Sequence, residues 1–432
     1  MDEISLGRRM AARHVAWGTV SLLAAGCVLS IAAVFSAASR GAGAIPDTLW
    51  GAHAWLTMLG WALPVCLGLV GWLLPVLKDA PRHFRRLRRW SLGLLLAGLA
   101  IITASVVLEH LGRPALFLLP VGWTLCLMTA AGYGVMIWHM SVRSLRPSAA
   151  DGGVHAGVAW LLVVVAVRLV AAVGGMATNR PDFLASSEPG LLLAASFGFM
   201  VNTGLGLAVI ILPEFLRLPH ARPQVASAFT TYNVVLAAIV IGFMWCSPFP
   251  VSRGGLPLIA SALAFAYLIP YLAGRLHFTS LIFARSRSPR RFLAGLALAT
   301  ALGCLVLAGL LVAVMAAWIA GFRSGPPREL LRLCLHLVTV GFFTNLVLAV
   351  TVPLLGPNCL RGARGSLAYA AYGLTALWVL ARLGLGVTAA VRGQDYGFER
   401  GLVAAVAGLA ELALATWLIR GFAALERPSK AP

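Results

Sequence analysis

Residues 50–64 read W-G-A-H-A-W-L-T-M-L-G-W-A-L-P and begin an apolar run that extends to Leu77. About 20 mostly apolar residues are enough to cross a bilayer as a helix. His53 lies near the start of this run, where an ionisable ring is costly and usually has a function. A second histidine, His336, has similar surroundings in C-L-H-L-V-T-V-G-F-F-T-N. The two histidines are either incidental helix residues or the two ends of one metal-binding axis.

The whole chain has the composition of a membrane protein. Of its 432 residues, 60% are hydrophobic and 11% are charged, which is not the balance of a soluble domain. Apolar runs separated by short polar segments predict an all-α, polytopic membrane protein with about twelve transmembrane helices in a single integral membrane domain, residues 1–432. The runs lie at 15–37, 50–77, 91–109, 116–138, 156–178, 191–212, 225–246, 256–276, 292–320, 330–354, 367–390 and 402–419.

The net charge of +20 is distributed as topology determinants are, in short basic blocks between the apolar runs. With the N-terminus inside, the cytoplasmic segments carry 23 Lys and Arg residues, and the opposite loops carry eight. Because positively charged loops stay on the cytoplasmic side, this bias predicts that both termini are cytoplasmic. We therefore expect a lipid bilayer around the chain and no nucleic-acid partner.

The seven cysteines are scattered, mostly within apolar runs, and no C-x-x-C or C-x-x-C-H occurs. Neither a zinc knuckle nor covalent haem attachment is predicted.

The predicted topology gives the two histidines a similar depth. Both of their helices run from outside to inside, which puts His53 about 5 Å and His336 roughly 9 Å below the outer helix end. Two imidazoles at similar depth on different helices could face one another across a planar ligand. His110 follows the run 91–109 at its predicted outer end, and it is expected to cap that helix or lie at the interface. The remaining histidines fall in or beside cytoplasmic loops, where we expect solvated or lipid-facing rings.

Three charged residues, Arg168, Arg382 and Glu411, interrupt apolar runs. Each costs at least about 2.5 kcal/mol at the bilayer centre unless it is paired or hydrated, so we expect all three to face the bundle interior. They suit two interpretations equally: a buried ion pair that holds helices together, or the substrate or proton path of a twelve-helix secondary transporter. The transporter is one alternative function, and a structural or assembly membrane protein with a vestigial site is another.

Two further sets of polar residues have expected roles. Arg392 and Arg400 lie in the outer loop V-R-G-Q-D-Y-G-F-E-R-G; they are either solvated loop charges or partners of carboxylates, which a planar guanidinium binds bidentately. Interhelical hydrogen bonds are expected from four side chains within apolar runs. These are Asn202, Tyr232, Asn233 and Asn345.

His53 with G-W seven residues on, the x-H-L-x-T-V-G around His336 and the twelve-run plan resemble the NnrS family, with the likeness in residues concentrated at 50–75 and 333–357. NnrS proteins are haem-containing membrane proteins associated with nitric oxide stress and are distant relatives of haem-copper oxidase subunit I. The resemblance implies a subunit I-like bundle in the bacterial inner membrane. It also implies one haem b ligated by His53 and His336, with Arg392 and Arg400 at its propionates. Electron transfer with a quinone or another redox partner, or a response to nitrosative stress, would follow.

The chain departs from the oxidase pattern at three places. Cys334 stands where a histidine would hold the high-spin haem, and the runs 191–212 and 225–246 contain no histidine to bind copper. Copper is therefore not expected, oxygen or nitric oxide reduction by a binuclear centre is not expected, and no catalytic residue is assigned. A thiolate ligand at Cys334 is conceivable, but a small packing residue is the commoner role for such a cysteine.

Overall fold

The computed structural model describes fourteen stretches of the chain, and these are almost entirely helical. They are residues 11–18, 21, 47–77, 85–142, 151–180, 187–216, 224–245, 255–275, 288–322, 328–355, 357–360, 362–392, 409–410 and 412–421. The predicted all-α class is confirmed, since every regular element within these stretches is a helix.

Seven helices that are described at both ends are α-helical throughout. They are α1 (Arg85–His110), α2 (Leu118–Val142), α3 (Asp151–Thr178), α4 (Gln224–Trp245), α5 (Gly255–Arg275), α6 (Pro289–Phe322) and α7 (Gly362–Arg392). A short 3-10 helix, Pro357–Leu360, precedes α7.

Three further helices of the described part contain a π-helical segment, which we label π1, π2 and π3. The His53 helix consists of Asp47–Trp55, π1 (Leu56–Ala62) and Leu63–Leu77. The Asn202 helix consists of Glu188–Leu193, π2 (Ala194–Val201) and Asn202–Leu216. The His336 helix consists of Arg328–His336, π3 (Leu337–Thr344) and Asn345–Leu354.

The three π-helices share a residue pattern. In each of them the fifth residue is a glycine, and an aromatic residue follows it. The three pairs are Gly60-Trp61, Gly198-Phe199 and Gly341-Phe342. The two longer segments match further, because S-F-G-F-M-V-N at 196–202 and T-V-G-F-F-T-N at 339–345 align without a gap. The chain thus repeats one local structure, which the sequence alone did not reveal.

By length and composition, nine helices of the described part can cross a membrane, and they correspond to nine of the twelve apolar runs. They are Gly51–Leu73, Arg89–Glu109, Leu118–Val142, Asp151–Thr178, Glu188–Phe215, Val225–Met244, Pro289–Ala320, Glu329–Leu354 and Arg364–Leu385. The run 256–276 forms α5, whose apolar part Leu258–Leu272 is shorter. The runs 15–37 and 402–419 lie mostly outside the described residues, so the count of twelve remains a prediction.

The three helices with π-segments differ from the other six in burial. Between 94% and 100% of their apolar windows is buried, against 28–56% for the others. A helix that is apolar on every side is stable in a core or a bilayer. The less buried helices expose large apolar side chains, such as Met128, Val135 and Val170, on a scale that water would not tolerate. The chain is therefore an integral membrane protein.

The chain divides into two compact units. The single integral membrane domain remains a prediction. The first unit comprises Met1–Pro147 and Val158–Ala185, and the second comprises Ser148–Gly157 and Ser186–Pro432. The His53 helix belongs to the first unit, and the Asn202 and His336 helices belong to the second.

Close backbone approach holds α1 and α2 together in the first unit. A Cβ atom placed on Gly98 would lie 2.7 Å from the carbonyl oxygen of Gly122, and one on Gly122 would lie 2.9 Å from that of Gly98. Small residues at such crossings allow the dispersion contacts on which helix association in membranes depends. In the second unit, Gly204 of the Asn202 helix makes room in the same way for Leu346 of the His336 helix, at 2.7 Å.

Candidate functional site

The imidazole of His336 makes a hydrogen bond that fixes its tautomer. Its Nδ1 lies 2.7 Å from the carbonyl oxygen of Arg332, one turn earlier in the same helix. A carbonyl oxygen only accepts, so Nδ1 carries the proton and donates it. In the neutral ring, Nε2 then holds the lone pair, which is the state that a metal ligand requires.

An aromatic side chain flanks the same ring. The indole of Trp378 on α7 lies 6.0 Å from the His336 ring between centroids, with 44° between the planes. Trp378 is fully buried, whereas His336 is half-buried. The segment π3 begins directly after His336, and π-helical segments occur frequently at functional sites. The ring of His336 thus has a hydrogen-bond partner in its own helix and an aromatic neighbour on α7.

An ion pair lies one turn before His336. The Nη1 atom of Arg332 donates to Oε1 of Glu329 at 2.8 Å, and the arginine side chain is 21% exposed while the glutamate is 44% exposed. Neither Arg332 nor Trp378 was predicted from the sequence. The i, i+4 spacing of R-L-C-L-H was available as a signal for Arg332, but nothing local in the sequence points to Trp378.

Cys334 is buried and its Sγ lies 3.5 Å from the carbonyl oxygen of Ala308 on α6. A thiol that donates weakly to a neighbouring helix is consistent with the packing role expected of this residue.

His53 is half-buried in the last turn of the α-helix that precedes π1. Its backbone carbonyl accepts a hydrogen bond from Oγ1 of Thr57 at 3.0 Å. The same hydroxyl-to-carbonyl bond occurs at the other two π-segments, from Ser196 to Leu192 at 2.8 Å and from Thr339 to Leu335 at 3.0 Å. These side chains bond carbonyl groups where each helix changes from α to π.

Arg168 has aromatic neighbours in the first unit. Its guanidinium carbon lies 5.1 Å from the ring centroid of Trp55 and 5.2 Å from that of Trp123, and the two indoles meet edge to face at 5.5 Å. Such cation–π contacts lower the cost of a charge inside the membrane. Arg168 therefore joins three helices in the first unit through aromatic contacts.

The other predicted charged residues are less defined. Arg382 is half-buried on α7, and Glu411 lies outside the described residues. Arg392 is the last residue of α7, but its side chain is not described, and Arg400 lies outside the described part of the chain. His110 is the last residue of α1, so its predicted position at a helix end is confirmed.

Two sequence-based expectations are corrected. His14 was expected to be solvated or lipid-facing, but it is 2% exposed, and a Cβ atom on Gly68 of the His53 helix would lie 3.0 Å from its own Cβ. Asn345 was expected to bond between helices, but its Nδ2 donates to the carbonyl of Gly341 in its own helix at 2.7 Å. Both side chains are buried in the structure, His14 at 2% and Asn345 at 1% exposure.

The other three expected interhelical bonds are confirmed. Asn202 and Asn233 exchange amide hydrogen bonds at 3.0 Å in each direction. The hydroxyl of Tyr232 donates to the carbonyl of Phe197 at 3.1 Å. All of these bonds join α4 to the Asn202 helix.

His53 lies in the first unit and His336 in the second, so their pairing remains a prediction from the sequence. Among the described residues, no three His, Cys, Asp or Glu side chains are grouped to hold a metal ion; a haem iron takes only two axial ligands, so this observation does not bear on the pair. No protein-family model matches the chain, and no curated protein matches it.

Proposed function

We propose that the chain is a membrane haem-b protein related to NnrS, in which His53 and His336 are the axial ligands of one low-spin iron. The pairing rests on the sequence: two histidines at similar predicted depth, in two motifs that resemble the family. The single observation that carries the proposal is the hydrogen bond from Nδ1 of His336 to the carbonyl of Arg332.

The described residues fit such a group. Metal-ligating histidines almost always donate the other ring N–H to a carbonyl or carboxylate, which fixes the ring and raises its basicity. His336 has this arrangement, and the half-buried state of both rings keeps them accessible to a ligand. Both histidines also lie within three residues of a π-helix, π1 for His53 and π3 for His336.

Electron transfer is the activity that this ligand set favours. A haem supplies one-electron redox chemistry when bound, and protein groups tune it through axial ligation, burial and hydrogen bonds. Two histidine ligands fill both axial positions, so no position is left for a substrate. Arg332 and Trp378 would orient the imidazole ring of His336. The buried helices would exclude water from the bound group. The connection with nitric oxide stress comes from the resemblance.

An absorption spectrum of the purified, full-length protein tests the proposal. Expressed with sufficient haem and measured oxidised and dithionite-reduced, it should show a Soret band and the sharp α-band of a low-spin b-type haem, with about one haem per chain. A preparation that is folded by circular dichroism but lacks both bands would contradict the proposal.

The redox role has its own test. If the protein transfers electrons, a quinol should reduce the haem while added nitric oxide leaves the low-spin spectrum unchanged on the same time scale. A rapid spectral change with nitric oxide and none with any quinol would instead assign a sensing role.

A further inference from the structure

We propose that Arg332 binds a carboxylate of the ligand held by His336, and that Glu329 holds the guanidinium in position for it. For the haem proposed above, this carboxylate is a propionate. The inference rests on the proposed function and assigns a binding residue that neither the sequence motifs nor the resemblance indicated.

The spacing of the two residues places them on one face of the helix. Arg332 and His336 are four residues apart in Arg328–His336, and side chains at i and i+4 are neighbours separated by about 6 Å along the axis. Side chains on a helix also point towards its N-terminus. A ligand bound at His336 and extending towards the start of this helix would therefore meet the guanidinium of Arg332.

The two residues are also linked directly. The carbonyl of Arg332 accepts the proton of His336 Nδ1 at 2.7 Å. One residue thus orients the imidazole through its backbone and offers a cation through its side chain. A shift of Arg332 would therefore change both the orientation of the imidazole and the position of the guanidinium.

The ion pair with Glu329 shows that the guanidinium of Arg332 already binds one carboxylate. A guanidinium has five N–H donors in one plane, and Glu329 Oε1 bonds the Nη1 side at 2.8 Å. At 21% exposure, against 44% for Glu329, the arginine is partly withdrawn from water, where charge pairing is stronger.

The experiment compares two ligands in the full-length protein produced without a haem supply. Iron protoporphyrin IX has two free propionates, and its dimethyl ester has none. Affinities of both are measured by optical titration for the wild type, Arg332→Gln, Arg332→Lys and Glu329→Gln, with Arg364→Gln on α7 as the control. Arg364 lies near the start of α7, which the charge distribution places at the opposite, cytoplasmic side.

The wild type should bind the free acid more tightly than the ester, and Arg332→Gln should reduce that preference by about tenfold or more. Arg332→Lys should retain part of the preference because the charge remains without the bidentate geometry. Glu329→Gln should reduce it less than Arg332→Gln, and Arg364→Gln should leave it unchanged.

The possible failures are distinguishable. If Arg332→Gln weakens acid and ester equally, or neither, Arg332 does not bind the carboxylate, while the haem proposal stands. If the folded wild type binds neither porphyrin, the proposed function fails. Should Arg332→Gln not fold, the comparison of Arg332→Lys with Glu329→Gln decides, since unchanged preference in both would overturn the inference.

Discussion

The imidazole of His336 donates its Nδ1 proton to the carbonyl of Arg332, and this bond divides the ring into two functions. One nitrogen holds the ring in place, and the other retains a lone pair for a ligand. The indole of Trp378 lies beside the same ring, 6.0 Å away between centroids.

At the residue scale, the paired amides of Asn202 and Asn233 give a prediction about stability. Either Asn→Ala substitution leaves the partner amide, buried in the membrane, without its reciprocal bonds. Each single variant should therefore lose about 1–3 kcal/mol of unfolding free energy. The double variant should lose less than the sum, with a coupling of roughly 0.6–1.7 kcal/mol, measured by denaturant unfolding in detergent micelles.

Thr300→Val, at a hydroxyl between α6 and α7 that is partly buried, serves as a comparison for the loss of an interhelical bond without an amide pair. Strict additivity of Asn202→Ala and Asn233→Ala would show that the two amides do not interact.

Individual residues could be predicted from the sequence where a polar group interrupts an apolar run. Asn202, Tyr232 and Asn233 were recognisable for that reason, and the structure gives them the expected bonds. The aromatic neighbours of Arg168 and His336 were not recognisable. Tryptophans are common throughout these helices, and their contacts depend on which helices become neighbours, which local sequence does not specify.

At the scale of elements, the π-helices are stabilised by side chains that bond to backbone carbonyls. Asn202 and Asn345 are the first residues after π2 and π3, and each donates Nδ2 to the carbonyl of the π-helix glycine at 2.7 Å. An unpaired carbonyl in a bilayer is costly, so these amides offset the altered backbone pairing. In the His53 helix the corresponding residue, four after the glycine, is Pro64. Proline has neither a side-chain amide nor a backbone N–H, so it cannot make this bond.

The glycine within π3 is required for packing against α6. A Cβ atom on Gly341 would lie 2.7 Å from Sγ and 2.9 Å from Cβ of Cys304. Gly341→Ala should therefore destabilise the protein by about 1–3 kcal/mol, as overpacking does, measured by thermal unfolding in micelles.

The matched control is Gly303→Ala, one residue from Cys304 on α6, where an added Cβ meets nothing within 4 Å. This variant should be neutral or stabilise by up to about 1 kcal/mol, as expected for a helix interior. A Gly341→Ala protein as stable as Gly303→Ala would show that π3 does not pack tightly on α6.

The π-helix also sets the direction of the residues before it. Removing one residue from π3, for example Val340, should restore α-helical pairing and rotate His336 by about 100° relative to Asn345–Leu354. The low-spin spectrum should be lost while the helix content by circular dichroism is retained. Deletion of Met200 from π2 is the control, since the Asn202 helix carries no proposed ligand; loss of the spectrum in this variant alone would contradict the assignment.

The π-segments themselves were not predictable from the sequence. A change from i→i+4 to i→i+5 pairing shifts the helix phase by one residue. The π-segments themselves carry no charged residue, so no amphipathic pattern records the shift. The aligned strings around Gly198 and Gly341 become informative once both segments are known to be π-helical.

At the scale of the molecule, composition was sufficient to predict an all-α membrane protein, because backbone groups in a bilayer must be paired within helices. Nine of the apolar runs correspond to helices that can span a membrane. The division into buried and partly exposed helices was not predictable, since runs of similar hydropathy, such as Gly51–Leu73 and Val225–Met244, differ from 100% to 39% in burial.

The distribution of basic residues gives a prediction about orientation. With 23 basic residues on one side and eight on the other, both termini should be cytoplasmic. A C-terminal green fluorescent protein fusion should therefore fluoresce, and a C-terminal alkaline phosphatase fusion should be inactive. Active phosphatase at the C-terminus, with the same fusion after residue 40 inactive, would reverse the orientation and move both histidines to the opposite side.

The central claim is that His53 and His336 hold one haem, and the reduced absorption spectrum of the two single variants tests it most directly. His53→Ala and His336→Ala should each lose the low-spin α-band, and added imidazole, which can occupy the vacated position, should restore it. A folded variant of either histidine that keeps the unchanged low-spin spectrum of the wild type would contradict the claim.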